Sequence, residues 1–204
     1  MQEVWNAKFQ SKERLYGYAP NNFIKDNFEL IAQAKTVMCL GEGEGRNAIY
    51  LAEKGLEIEA LDASDVALFK LRKWAKEYYL DIKIRHTLIQ YWTPTPTYDA
   101  VVCTYLHLFK KDQKMLFEKA LLALHVGGIF IAELFSESQI NFSSGGPKNI
   151  ALLYDFNDIL DMVKSLPCEV LKLSQEVIFL DEGTSHQGKG SVIRVILKKK
   201  QIAI

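Results

Sequence analysis

Short apolar runs alternate with segments of helical periodicity along the first 135 residues of the chain. TVMCL at 36–40 is the first such run and YDAVVCT at 98–104 is a later one, while LEIEAL at 56–61 between them alternates as a strand. Between the runs, apolar residues recur every three or four positions, as in a helix that turns one face toward a core. Nearly all-apolar strands that alternate with helices predict a mostly parallel sheet covered on both faces.

The remaining elements follow from the same patterns and from their flanking residues. A helix is predicted over 46–54, a second one begins after Ser64 as its N-cap, and a third covers about 112–124. Two more strands are predicted over 81–85 and 129–135.

The last 69 residues depart from this alternation. Residues 136–150 form a Gly/Ser-rich loop, long enough for a lid or a binding role, and a helix is predicted near 155–165. Strands over 169–180 and 191–198 are expected to pair antiparallel across a long glycine-rich connection. The pattern therefore predicts a doubly wound α/β fold, with a mostly parallel seven-stranded sheet and an antiparallel strand pair at its C-terminal end.

Composition narrows the class of protein. The chain has 204 residues, 49% of them apolar, and 25 basic residues balance 25 acidic ones. This length and composition indicate one globular domain over 1–204 and disfavour disorder or coiled coil. The zero net charge gives no overall attraction to nucleic acid or to anionic membranes, and no apolar run is long enough for a signal peptide or a membrane span. We therefore expect a cytoplasmic protein with neither kind of partner.

Cysteine and histidine spacing indicates neither a disulfide framework nor a metal site. Cys39, Cys103 and Cys168 are odd in number and widely separated, and two of them lie in apolar strand patterns. No pair of histidines or carboxylates has the spacing of metal ligands, so no metal is predicted.

The strongest chemical signal is a glycine loop between the first strand and the first predicted helix of this alternation. Its glycines are Gly41, Gly43 and Gly45, and Asp62 follows 17 residues later at the end of the next strand. A glycine turn lets a ligand approach the backbone, and a carboxylate at this spacing can accept hydrogen bonds from both hydroxyls of a ribose. The pair predicts a nucleoside-containing ligand; the alternative is a tight strand-to-helix turn with solvated glutamates.

Two acidic residues in the loop decide between nucleosides. Glu42 and Glu44 occupy the turn that would hold a pyrophosphate, and a like-charge contact at about 5 Å costs roughly 3 kcal/mol at an effective dielectric constant near 20. If these carboxylates point inward they oppose phosphate and favour a cation. S-adenosylmethionine has a ribose, an ammonium and a sulfonium but no phosphate, and it is the predicted cofactor.

Several motifs in order along the chain resemble class I S-adenosylmethionine-dependent methyltransferases. They are VMCLGEGEGRNAIYLAEKG, EIEALDAS, YDAVV and LLALHVGGIFIAELF. GEGRNAIYLA, with the opening WNAKFQSKERLYGYAPNNFI, is similar to the branch that contains tellurite-resistance and thiopurine-type methyltransferases. The resemblance covers nearly the whole chain and implies an N-terminal helical cover over 1–35 and an inserted loop and helix over 136–165.

The resemblance also implies which residues contact the cofactor. They are Gly41, Glu42, Gly43 and Gly45 in the loop beside the methionyl part, Arg46 and Asn47 at the helix start, Asp62 at the ribose, Ala63 and Ser64 beside the adenine, and Thr87 and Leu88 near its amine. Trp5, Tyr16 and Gly17 would cover the cofactor, or else pack a terminal helix onto the sheet. Three positions depart from the family pattern: Cys39 replaces a common acid, Glu42 a small residue and Thr87 an acid.

The catalytic candidates follow the fourth predicted strand and lie between the last two. Thr104, Tyr105 and His107 are expected to face the cofactor's methyl group, with His107 as a base or as a residue that packs the next loop. His186 is the other candidate, in a flexible loop that closes on an anionic acceptor with the help of Lys148 and Lys189, or at an exposed hairpin tip.

The predicted function is methyl transfer from S-adenosylmethionine to a small molecule, such as a thiol, chalcogen or metalloid species. The compact chain leaves no room for a dedicated RNA- or protein-recognition module. The alternatives are a methyltransferase that acts on RNA or protein, a catalytically silent cofactor-binding module and, more remotely, a dehydrogenase. The oligomeric state is left open.

Overall fold

The computed structural model describes residues 2–11 and 13–201 and contains seven strands and six α-helices in those ranges. The strands are β1 (Thr36–Leu40), β2 (Glu57–Asp62), β3 (Ile82–His86), β4 (Tyr98–Thr104), β5 (Leu124–Phe135), β6 (Cys168–Glu182) and β7 (His186–Lys199). The helices are α1 (Gln2–Phe9), α2 (Asn22–Asp26), α3 (Arg46–Glu53), α4 (Asp65–Glu77), α5 (Lys110–Ala123) and α6 (Phe156–Lys164). Short 3-10 helices cover Phe28–Leu30, Ile89–Tyr91, Glu137–Asn141 and Ile150–Leu152.

The seven strands form one sheet in the order β3-β2-β1-β4-β5-β7-β6. Strands β1 to β5 pair in parallel, while β7 lies antiparallel between β5 and β6. The predicted doubly wound fold with an antiparallel C-terminal pair is confirmed. The strand order reverses direction between β1 and β4, which is the place where open α/β sheets bind ligands, beyond the carboxyl ends of the strands.

Helices cover both faces of the sheet. Because successive side chains of a strand point to opposite sides, the apolar strands bury side chains on each face. Along β1, Met38 joins a core cluster that includes Phe117 of α5 and Ile159 of α6. Its neighbours on either side join the opposite cluster, which includes Leu51 of α3 and Leu71 of α4. This two-sided burial explains why β1, the middle of β4 and the second half of β5 carry almost no polar alternation in the sequence.

Helices α3 and α4, which follow β1 and β2, each begin at a sharp turn. Gly45 adopts a left-handed conformation, with φ of 97°, immediately before α3. Ser64 caps α4, because its Oγ accepts a hydrogen bond from the Ala67 N–H at 3.1 Å. The predicted N-cap is confirmed, and both turns lie at the carboxyl edge of the sheet.

The C-terminal hairpin differs from the prediction. Its strands extend to Glu182 and begin again at His186, so the connection is three residues long and not a long glycine-rich loop. Two of the glycines lie inside β7, where Gly188 pairs with Leu180 and Gly190 with Ile178. A Cβ at Gly190 would stand only 2.7 Å from Leu180 Cδ1 and 2.9 Å from Ser144 Oγ, so this glycine permits close packing within a strand.

The N-terminal segment crosses the carboxyl edge of the sheet and is tied to it by polar contacts. Asn6 of α1 donates to Asp65 at 2.7 Å, and the Arg14 guanidinium donates to the Glu44 carbonyl at 2.7 Å. The Leu15 carbonyl accepts from the hairpin turn, from the Thr184 N–H at 3.0 Å. These bonds hold the segment over the region where a ligand is expected. No helix in the described part of the chain is both long and apolar enough to cross a membrane.

Gly45→Ala is expected to destabilise the protein by about 2 to 4 kcal/mol, because it combines a left-handed backbone with a new collision. A Cβ at Gly45 would collide with Leu71 Cδ1. Gly55 is the matched control, since its φ is 88° but a Cβ there would meet no described atom within 4 Å. Gly55→Ala should cost only about 1 to 2 kcal/mol. Urea unfolding measures both changes, and equal losses would show that the Leu71 contact does not determine the turn.

Candidate functional site

A pocket with about 870 Å³ of atom-free space, part of it open to solvent, lies beyond the carboxyl ends of β1, β2 and β4. Most residues predicted for the site line this pocket; Gly17 does not, and the three further exceptions are Gly45, Ser64 and His186. The structure therefore brings together the glycine loop, the end of β2, the residues after β3 and β4, and the N-terminal aromatic residues.

The three exceptions have structural reasons. Gly45 forms the turn before α3, and Ser64 caps α4 and donates from its Oγ to Asn6 Oδ1 at 2.6 Å. His186 is not in a flexible loop or at an exposed tip, as was predicted, because it begins β7 and is only 2% exposed. Its ring lies behind the pocket wall, with its centroid 4.5 Å from that of Tyr16 and 4.7 Å from that of Tyr105.

The two lysines grouped with His186 and the loop before α6 also lie away from the pocket. Lys189 is exposed, and Lys148 donates to the Phe142 carbonyl at 2.9 Å. Gln139 donates to Ser144 at 3.1 Å and accepts from the Ser191 N–H at 2.7 Å, so residues 136–150 are held against β7. None of the described residues over 136–150 lines the pocket.

Six residues of the pocket wall, five of them apolar, were not predicted from the sequence. They are Phe9, Leu61, Ile89, Gln90, Leu106 and Leu108. Most are neighbours in sequence of residues that were named, and the 3-10 helix after Leu88 turns two of them inward. Phe9 carries no local signal, because only the folding of α1 across the sheet edge brings it near Gly43.

Asp62 connects the end of β2 to the glycine loop. Its Oδ2 accepts from the Gly43 N–H at 2.8 Å, and its Oδ1 accepts from the Ser64 N–H at 2.7 Å. Burial raises its pKa, and these hydrogen bonds oppose that rise. Because a carboxylate oxygen can accept two hydrogen bonds and each oxygen of Asp62 accepts one here, the side chain retains capacity for ligand hydroxyls.

Glu42 lies in the same wall and caps α3. Its Oε1 accepts from the backbone N–H groups of Asn47 at 2.9 Å and Ala48 at 2.8 Å. Burial raises the pKa of Glu42 to about 7, although these bonds and the positive charge of Arg46 act in the other direction. The backbone N–H groups at the start of α3 are therefore already bonded to an acidic side chain of the protein, which disfavours a phosphate there.

Glu44, by contrast, points away from the pocket. Its carboxylate lies 2.7 Å from the Lys70 ammonium and accepts from the Leu15 N–H at 2.9 Å. Of the two loop glutamates that could point inward, only Glu42 does so.

Arg46 supplies positive charge to the pocket wall. Its Nη1 lies 2.9 Å from Glu182 Oε1 in a buried ion pair. A guanidinium has five N–H donors, so a ligand carboxylate could bind those that the pair with Glu182 leaves available.

Aromatic rings close the opposite end of the pocket. His107 stacks between Trp5 and Phe135, with ring centroids 5.7 and 6.1 Å away. Burial lowers the pKa of His107 to about 3, so its imidazole is neutral at physiological pH. Tyr105 donates its hydroxyl to Glu133 at 2.6 Å, and burial raises its pKa well above the usual value. Neither side chain is a good proton acceptor.

Thr104 and Thr87 complete the walls between these ends. Thr104 Oγ1 accepts from the Asn47 side-chain amide at 3.1 Å, and the Thr87 N–H donates to the Asp62 carbonyl at 3.1 Å. In the described part of the chain, no group of three or more His, Cys, Asp or Glu side chains could hold a metal ion. The pocket thus combines a buried acid at each of two strand ends, one arginine and an aromatic cover, which fits a nucleoside that carries a cation and a carboxylate.

Comparison with known proteins agrees with this chemistry. Residues 37–128 match the protein family described as "Methyltransferase domain". Three solved structures share the fold. One was reported as "Conversion of a Disulfide Bond into a Thioacetal Group during Echinomycin Biosynthesis", with 15% identity, a TM-score of 0.81, and coverage of 100% of this chain and 93% of that one. TehB from Haemophilus influenzae has 18% identity, a TM-score of 0.73, and coverage of 98% and 67%. Magnesium protoporphyrin IX methyltransferase (ChlM) from Synechocystis PCC 6803 with bound SAH has 14% identity, a TM-score of 0.70, and coverage of 98% and 98%.

No curated protein sequence matches the chain significantly. The family match supports a methyltransferase domain over residues 37–128, and the chain shares its fold with solved S-adenosylmethionine-dependent methyltransferases. The methyl acceptor does not follow from these comparisons.

Glu42→Gln is expected to change how stability depends on pH. The native pKa of Glu42 is raised to about 7, so between its unfolded value and pH 7 the native state holds a proton that the unfolded state has lost. Stability must therefore fall as the pH rises through this range, by up to about 3 kcal/mol for a shift of this size. Urea unfolding in the absence of ligand should show the wild type losing about 2 to 3 kcal/mol more than Glu42→Gln between pH 5 and pH 8. Parallel curves for the two proteins would contradict the assignment.

Proposed function

We propose that this chain transfers the methyl group of S-adenosylmethionine to a small molecule whose reacting atom is soft and nucleophilic without help from a protein base. Thiols, chalcogen anions and metalloid species belong to this class. The coarser activity, methyl transfer from S-adenosylmethionine, is supported by the family match and the fold. The following arguments concern the cofactor's orientation and the acceptor.

The pocket residues divide into groups that would hold different parts of the cofactor. Arg46 would bind its carboxylate, because its guanidinium lines the pocket and has N–H donors beyond those that pair with Glu182. Asp62 would accept from the ribose hydroxyls, and Thr87, Leu88 and Ile89 would surround the adenine. The bound cofactor supplies an electrophilic methyl group on a sulfonium. Since its leaving group departs as a neutral thioether, the protein has to align the reactants and need not protonate a leaving group.

The observation that carries the acceptor class is the state of the titratable groups at the aromatic end. His107 has a pKa of about 3, and burial raises the pKa of Tyr16 to about 12. Tyr105 is already a donor to Glu133. An alcohol or amine acceptor usually needs a base near its reacting atom, whereas a thiolate or related anion needs none. This end of the pocket therefore favours an acceptor that arrives ionised.

The aromatic rings that cover the pocket favour a small acceptor. Trp5 and Phe9 stack 5.7 Å apart over the aromatic end, and Tyr16 packs edge-on against Phe9 at 6.4 Å. A large folded substrate would have to displace these rings and the polar contacts of α1. The structure reported for conversion of a disulfide bond into a thioacetal group, whose fold this chain shares, involves chemistry at sulfur and is consistent with a soft acceptor.

Asp62→Ala is expected to weaken S-adenosylhomocysteine binding by about 1 to 3 kcal/mol, because ligand hydroxyls lose a charged acceptor. Titration calorimetry measures the dissociation constant. Asp62→Asn serves as a second variant, since it keeps the side-chain volume beside Gly43, and unchanged thermal unfolding of the free protein serves as the folding control. An unchanged dissociation constant in both variants would remove Asp62 from the ribose site. Absence of binding by the wild type at millimolar ligand would end the proposed function.

His107→Gln is expected to leave the shape of the pH–rate profile unchanged, although loss of stacking on Trp5 can lower the rate. The inflection should follow the pKa of the acceptor and shift when a thiol of lower pKa replaces one of higher pKa. Steady-state rates with two such thiols test this. An inflection that stays fixed across acceptors in the wild type and disappears in His107→Gln would identify His107 as a base. Cofactor binding without turnover over a broad acceptor panel would support the silent-module alternative.

A further inference from the structure

The carboxylate of Glu42 is an anion built into the pocket wall that the fold alone does not require. Its side chain is 9% exposed, and both of its hydrogen bonds from Asn47 and Ala48 go to one oxygen, Oε1. A neutral cap could serve the start of α3 without the cost of burying a charge. Its position in the same wall as Gly41 and Asp62 places it beside the expected cofactor.

Charged and titratable groups from four elements, α3, β2, β1 and β4, act on Glu42. Arg46 of α3 favours its ionised form, and Asp62 of β2 opposes it. The thiols of Cys39 in β1 and Cys103 in β4 are buried, and proximity to Glu42 contributes to raising the pKa of each of them. Glu42 is therefore balanced between its two protonation states near neutral pH, and one added charge in the pocket can shift that balance.

The cofactor and its demethylated product differ in such a charge. They share the adenosine, the amino group and the carboxylate, but the sulfur is cationic before transfer and neutral after it. During transfer the methyl carbon–sulfur bond breaks, its electron pair stays on sulfur, and the methyl carbon bonds to the acceptor. The sulfur thereby loses its positive charge, and the ligand that remains in the pocket is one charge less positive.

We propose that Glu42 is the residue that distinguishes the sulfonium cofactor from its thioether product, because it loses a proton when the cation binds and takes one up from solvent after methyl transfer. This inference rests on the proposed function and adds to it a specificity-determining residue. Its consequence is selective: the ionised carboxylate stabilises the sulfonium, and the protonated carboxyl group allows the neutral product to leave.

Proton linkage measures this directly. Because deprotonation favours the cation, the affinity for S-adenosylmethionine should rise roughly fivefold between pH 6 and pH 8 relative to that for S-adenosylhomocysteine, if binding of the cation lowers the Glu42 pKa by about one unit. The shared amino group titrates in both ligands, so it cancels in the ratio of the two dissociation constants. Calorimetry near pH 7 in buffers of different ionisation enthalpy should show roughly 0.4 more protons released on binding of the cofactor than on binding of the product.

Two loop variants isolate the residue. Glu42→Gln should abolish the difference in proton release and make the ratio of affinities independent of pH. Glu44→Gln is the matched control, since Glu44 lies in the same loop but pairs with Lys70 outside the pocket, and it should retain the wild-type difference.

The outcomes separate the two hypotheses. If the wild type binds neither ligand, the proposed function fails. If it binds both with the same proton release, this inference alone is overturned, whether or not Glu42→Gln folds. A difference that persists in Glu42→Gln would likewise overturn it, because another group would then carry the proton.

Discussion

The hydrogen bond from the Gly43 N–H to Asp62 is the contact on which the candidate site depends. It joins the glycine loop after β1 to the end of β2 across 2.8 Å, and the second oxygen of Asp62 holds the Ser64 N–H that precedes α4. Two strand ends and the start of a helix are thus fixed by one buried carboxylate. The left-handed conformation of Gly43, with φ of 61°, aims its N–H at Asp62 without steric penalty.

A second set of buried charges ties the distant parts of the chain to the same site. Glu182 at the end of β6 faces Arg46 and also lies 2.9 Å from His186 Nδ1. Although burial would raise the pKa of Glu182, these partners lower it to about 2. Removing one partner from such a network leaves an uncompensated buried charge. Because Glu182 belongs to the β6–β7 hairpin, the hairpin helps to fix the position of Arg46.

Asn21 extends this network to the N-terminal segment. Its side-chain amide donates to Glu133 at 2.7 Å and to Glu182 at 3.0 Å, and its backbone N–H donates to Asn47 at 2.9 Å. Residues far apart in sequence therefore meet behind the pocket wall. This explains why His186 is buried among aromatic rings and is not free to close over a substrate.

Local patterns in the sequence predicted the strands, the glycine loop, the Ser64 cap and the pocket side of Asp62, because each depends on a few adjacent residues. Features that depend on contacts distant in sequence could not be predicted in this way. The sequence places Gly190 in a loop, whereas in the structure it lies in β7 and packs against Leu180 and Ser144. Glu44 points outward because it pairs with Lys70 on the next helix. The departures at Cys39 and Glu42 looked independent in the sequence. In the structure they are coupled, since burial raises the pKa of the Cys39 thiol and the charge of Glu42 raises it further. The buried acid missing at the end of β1 is therefore supplied three residues later, from the loop, where it can also cap α3.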